Sequence, residues 1–103
     1  MEFGFFKGLP HTDSSEDFSK YRQYKNSIPK AAVIAHMNSL EAWLTSEPSY
    51  ELFTKEQIQA GVIEDGDFVF PYEFLHYYKN YDIGIPPDYE AYLKQIGVGA
   101  GLN

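Results

Sequence analysis

Between Tyr72 and Tyr81 four tyrosines fall within ten residues, and each poses the same folding problem. The ring gains by burial, while the hydroxyl must keep a hydrogen-bond partner. The rest of the chain repeats the problem, with nine Tyr and eight Phe among 103 residues. Disordered chains are poor in aromatics, so a folded core is expected. Four neighbouring tyrosines fit inside that core only if it is unusually wet, so some of these rings are expected at the surface.

A chain of 103 residues is read as one domain spanning 1–103. It can bury roughly two-thirds of its unfolded surface, enough to fold without staples. It contains no cysteine, which excludes disulfides, thiolate metal sites and a cysteine nucleophile, and which fits a reducing compartment. The longest apolar run, Ala31 to Ala35, falls far short of the ~20 residues of a membrane span. Met1 to Pro10 has no signal-peptide core, so a cytoplasmic, membrane-free protein is expected. The net charge of −7 is uneven: residues 1–40 carry five basic and four acidic side chains, residues 41–103 three and eleven. Such a field attracts basic surfaces and repels phosphate backbones, so nucleic acid is disfavoured as a partner.

Local signals predict an α+β, helix-dominated fold of four or five short helices with one small β-hairpin. Met1–Phe6 reads as a short strand closed off by Gly8 and Pro10. Ser14 is a candidate cap for a helix carrying Phe18 and Tyr21, with Asp17 completing an imperfect capping box. Pro29 suits the first turn of a second helix running to about Thr45, with Val33, Met37, Leu40 and Leu44 as its stripe and Ala32, Ile34 and Trp43 widening it. Thr54-x-x-Gln57 predicts a short capped helix stopped by Gly61. Asp65-Gly66 predicts a two-residue turn between strands within Val62–Phe70. A helix from Pro71 to about Tyr81 follows, then a last one with Tyr89, Tyr92, Leu93 and Ile96 on one face and a Glu90–Lys94 pair on the other.

Few patterns carry chemistry. His11, His36 and His76 are dispersed, and a metal site would need all three gathered with a carboxylate. Glu64-Asp65-Gly66-Asp67 fails as a calcium loop, because glycine is second instead of sixth and the twelfth position from Asp65 is His76. No Gly-x-Ser-x-Gly turn is present, and the Gly97–Gly101 tail follows a helix where a phosphate loop must precede one. Lys20, Arg22, Lys25 and Lys30, interleaved with Tyr21 and Tyr24, resemble a stacking platform, but a solvated helix face explains them better in so acidic a chain. No cofactor is expected. The richest window holds Glu64, Asp65, Asp67, Glu73 and Asp82 against one base, Lys79, together with Tyr72, Tyr77, Tyr78 and Tyr81. Tyrosine is enriched at binding hot spots, and surrounding carboxylates steer a basic partner, so these nine residues are the candidate partner-binding site. The bland reading is a small core whose tyrosine tips reach water.

The run Leu75-His76-Tyr77-Tyr78-Lys79-Asn80-Tyr81-Asp82, followed by Pro87 and a helix with Lys94-Gln95, resembles the colicin DNase immunity proteins. The first half of the chain does not follow their pattern, and the spacing around the tyrosine pair differs. The resemblance implies a style of function: a small acidic bacterial protein that caps a basic nuclease or toxin without turnover. It would make Tyr77 and Tyr78 anchors and Asp65, Asp67, Glu73 and Asp82 their charge partners. Two other classes stand beside it. One is a phage-type DNA mimic directed at a defence enzyme, which needs regular acid spacing on an elongated shape. The other is a winged-helix-like regulatory DNA-binding domain, with Thr54–Gly61 as its helix and Asp65-Gly66 as its wing.

Overall fold

A computed structural model describes residues 1–9, 12–14 and 16–100. Pro10, His11, Ser15 and the end of the glycine tail from Gly101 lie outside them. The fold is α+β: a short 3₁₀ helix Phe18–Gln23, α1 (Lys30–Asn38), β1 (Ala42–Leu44), β2 (Ser49–Tyr50), β3 (Gln57–Ile58), β4 (Gly61–Asp65), β5 (Phe68–Pro71), α2 (Glu73–Asn80) and α3 (Pro87–Gln95). A three-stranded antiparallel sheet in the order β1-β4-β5 forms one layer, and β2 and β3 make a separate hairpin. With 33% helix and 20% strand, the sheet has a larger share than the expected single hairpin.

The β4–β5 hairpin forms where expected, but its turn is one residue later. Asp65 pairs with Phe68 and Ile63 with Phe70, so the two-residue loop is Gly66-Asp67. Gly66, at φ +60°, takes the left-handed position such a loop requires, and a Cβ there would lie 2.8 Å from the Tyr92 hydroxyl. A slip of one residue moves a side chain to the opposite face of a strand. Asp65 is thereby drawn from the turn tip to the buried face beside Phe68.

One predicted helix is shorter than expected and another is absent. The second helix stops at Asn38, with Val33 and Met37 in the core, instead of running to Thr45. Asn38 and Ser39 are weak helix formers, and Ala42–Leu44 gains more by pairing with Ile63, Val62 and Gly61. Trp43 and Leu44 therefore belong to a strand and stand 72% and 58% exposed. Thr54–Gly61 is not helical either: Ser49 pairs with Ile58 and Tyr50 with Gln57. Lys55 sits at φ 65°, which breaks a helix, and the Thr54 hydroxyl donates to Glu51 instead of capping. A winged-helix reading loses its recognition helix with this segment.

The N-terminal strand reduces to single bridges, Glu2 with Val69 and Phe6 with Glu16. The Phe3 N–H donates to the Val69 carbonyl and the Val69 N–H to that of Met1, so this segment covers the outer edge of β5. Asp17, not Ser14, caps the 3₁₀ helix by accepting from the Ser19 N–H. A long-range polar seam then ties residues 21–30 to residues 81–90. Asn26 exchanges hydrogen bonds with the backbone of Ile85, the Glu90 carboxylate accepts from the Ser27 and Ile28 N–H groups, and Lys30 donates to the Tyr81 carbonyl. Glu90 thus staples a turn far away in sequence, a role that its predicted pairing with Lys94 did not suggest.

Two carboxylates link this architecture to pH. Burial raises the pKa of Glu90, but hydrogen bonds from Ile28, Asn26 and Ser27 outweigh it and hold the group below the ordinary 4.5. Glu51 is likewise lowered, burial being outweighed by hydrogen bonds from Tyr81, Phe53 and Thr54. A depressed carboxylate contributes stability that is complete above 4.5 and lost as pH falls through the folded value. The urea midpoint is expected to fall below that pH, and less steeply in Glu90→Gln, whose side chain does not titrate. An unchanged acid slope in that variant would remove Glu90 from the account.

Candidate functional site

Interior partners, not water, satisfy most of the tyrosine hydroxyls. Tyr21, fully buried, accepts from the Gly4 N–H at 2.7 Å and donates to Glu16 at 2.8 Å. Tyr77 accepts from the Leu52 N–H at 2.9 Å, and Tyr81 donates to Glu51 at 2.6 Å. Tyr89 and Tyr92 both donate to Asp65, at 2.8 and 3.1 Å. The acids that look like a surface field in the sequence are in part the acceptors that let phenols enter the core.

Asp65 shows this most fully. Its side chain is 6% exposed and receives Tyr89 and Tyr92 from α3, while Nε2 of His36 on α1 lies 2.8 Å from Oδ2. One carboxylate thus joins β4 to two helices. Burial, then the hydrogen bond to Asp65, raises the Tyr89 pKa above its usual 10. Glu51, 2% exposed, organises the β2–β3 turn, accepting from the Phe53 N–H and Thr54 as well as Tyr81. His76 Nε2 lies 3.6 Å from the same carboxylate.

The nine candidate residues separate accordingly. Tyr77 and Tyr78 are 0% and 1% exposed, so they are core residues and not surface anchors. The Tyr77 ring meets Phe6 and Phe18 edge-on, and Tyr78 stacks on Phe74 with the Lys30 ammonium 4.5 Å from its ring centre. Burial pushes both hydroxyls up to about 12. Tyr81 is half-buried and also rises to about 12, chiefly through its bond to Glu51. Asp65 and Glu73 are buried, Glu73 accepting from the Gly61 N–H, so neither faces a partner. Tyr72 is half-buried, and only Glu64, Asp67 and Asp82 are exposed. Helix α2 taken alone presents the window as one face. Packing of the N-terminal segment, the 3₁₀ helix and the sheet turns its rings inward.

The basic cluster is also partly used within the fold. Lys20 pairs with Glu16 at 3.5 Å, the Arg22 guanidinium lies over Phe18, and Lys30 is bonded to Tyr81. Among the described residues no three His, Asp or Glu side chains stand where they could hold a metal ion, and no helix is long and apolar enough to cross a membrane.

The most accessible apolar surface lies on the other side of the sheet. Partners in register share a face. Trp43 is therefore aligned with Val62 and Pro71, and the neighbouring row holds Glu64, Val69 and Glu2. Among the described residues Trp43 is the most exposed large apolar side chain, Val62 and Val69 are half-buried, and Glu2 and Glu64 are exposed. Met1–Phe3, β1, β4 and β5 contribute no lysine or arginine to this face. Sequence reasoning missed Trp43 by placing it on a helical stripe. No local signal marks it: β1 is three residues long, too short for an alternation to show, and Trp43 is exposed together with its neighbour Leu44.

Comparison with known proteins finds no matching family model, no matching curated protein and no matching solved structure.

Proposed function

We propose that the protein is a binding module for a cationic protein, which it engages through the outer face of its sheet. The observation that carries this reading is Trp43, 72% exposed, in register with half-buried Val62 and one row from exposed Glu64, on a sheet face to which the strands contribute no lysine or arginine. Tryptophan is the residue most enriched among hot spots, and acids around it favour a basic partner and speed encounter. Its narrower form is a stoichiometric inhibitor of the immunity type, neutralising a basic toxin such as a nuclease without turnover. That form keeps the charge and style of the resemblance but moves the anchor from Tyr77 and Tyr78 to Trp43. Extents of 38 × 27 × 22 Å favour it over a DNA mimic, which needs a longer axis for a phosphate-like series.

A photo-crosslinking amino acid at position 43 is expected to capture a basic protein in the native cell, while the same group at exposed position 88 on α3 does not. Capture of nothing, or of the same proteins from both positions, would overturn the reading. Trp43→Ser should weaken the captured complex by at least about 2 kcal/mol, roughly thirty-fold. For the narrower form, the captured protein expressed alone should arrest growth, and the parent chain should restore it where Trp43→Ser does not.

A further inference from the structure

The two edges of the sheet are treated differently. The outer edge of β5 is covered by Met1–Phe3, whereas no described strand or bridge lies beyond β1. The ladder determines what β1 presents there. The Thr45 N–H donates to the Ala60 carbonyl at 3.1 Å, in line with the register that pairs Trp43 with Val62. In an antiparallel pair alternate residues turn both backbone groups to the neighbour. Thr45 and Trp43 therefore face β4, and Ala42 and Leu44 turn their N–H and C=O groups to the open side. Natural edges are protected by shortness, lysine, proline, a bulge or a cover, and at three residues β1 has only the first. Ala42-Trp43-Leu44 carries no lysine or proline, no described strand covers it, and its two large side chains are exposed.

We infer that β1 receives an extended segment of the partner as an additional strand, and that this segment is cationic. The inference rests on the proposed binding function and specifies its mode. Backbone bonds at Ala42 and Leu44 would supply register, with Trp43 on one face and Leu44 on the other as side-chain contacts. Charge selects the occupant. Exposed Glu41 and Glu47 flank the strand and the chain carries −7, so a second copy would set like charges against each other, whereas lysine or arginine would relieve them.

The test uses the full chain with two synthetic peptides, one alternating Lys and Val, the other Glu and Val. Trp43, the single tryptophan, is the fluorescence reporter. The Lys-Val peptide should give a saturable blue shift and slow amide exchange at Ala42 and Leu44, and the Glu-Val peptide neither. Leu44→Pro removes an outward N–H while sparing the β4 ladder, and should weaken binding by at least about tenfold. If Leu44→Pro lost its fold, slowed exchange at Ala42 and Leu44 in the parent would still uphold the inference, and slowing only elsewhere would overturn it. Binding unaffected by Leu44→Pro but abolished by Glu64→Lys would overturn strand addition and leave the binding face standing. No response to the Lys-Val peptide would overturn the inference, the crosslinking at position 43 then judging the binding function separately. A dimer abolished by Leu44→Pro would also overturn it, the second copy being the occupant.

Discussion

Asp65→Ala is expected to destabilise the fold by about 3–5 kcal/mol, while Asp67→Ala, two residues away, stays within about 0.5 kcal/mol. The difference follows from the turn. Asp65 is drawn inside by the Gly66-Asp67 loop, where it takes hydrogen bonds from Tyr89 and Tyr92 and lies against His36. Alanine would leave these three groups without their acceptor and open a void between sheet and helices. Removing an acceptor shared by several interior groups costs more than the bonds themselves are worth, because the hydroxyls left behind remain desolvated. Asp67 is exposed at the loop and loses only a solvated charge. Urea denaturation of the two variants gives the comparison directly. Equal midpoints would mean that the hairpin closes at Asp65-Gly66 after all.

Truncating the tyrosine pair should have the largest effect in the molecule. Tyr77→Ala and Tyr78→Ala are each expected to cost about 3–5 kcal/mol, the range for large aromatic side chains removed from a core. Domains of this kind are stable by roughly 5–15 kcal/mol, so the double variant should have no cooperative unfolding transition, or one much weakened. Tyr77→Phe separates the ring from the hydroxyl. It keeps the contacts with Phe6 and Phe18 and leaves only the Leu52 N–H without an acceptor, for about 1–3 kcal/mol. Near-ultraviolet circular dichroism with urea titration measures both. A double alanine variant that unfolds like the parent would place these rings outside the core.

What could be read in advance was local. The Val62–Phe70 hairpin, α2 and α3 each announce themselves through Gly66, Pro71 or Pro87 and through periodic apolar residues, and all three are present. Strands of two or three residues have no periodicity to read. β1 exists because Ala42 finds Ile63, and β2 because Ser49 finds Ile58. The Thr54-x-x-Gln57 signal was genuine in composition, but the Thr54 hydroxyl bonds Glu51, which sits before it in the chain. The tyrosine puzzle was also non-local. Tyr89 and Asp65 lie 24 residues apart, and only the folded chain shows that one satisfies the other. Two expectations therefore exchanged places: Tyr77 and Tyr78 went from anchors to core, and Trp43 went from core stripe to exposed face.

The seam between residues 21–30 and 81–90 has a kinetic consequence. Its Glu90 and Asn26 bonds join residues 59 to 64 positions apart, so most of the chain must already be gathered before any of them can form. Hairpin and helix contacts close short loops at little entropic cost, whereas this junction has to wait for them. Side-chain carboxylate and amide groups lock it, so, like the Met1–Phe3 cover of β5, it closes late in assembly, and shortening that clasp should quicken unfolding while leaving the rate of folding almost untouched.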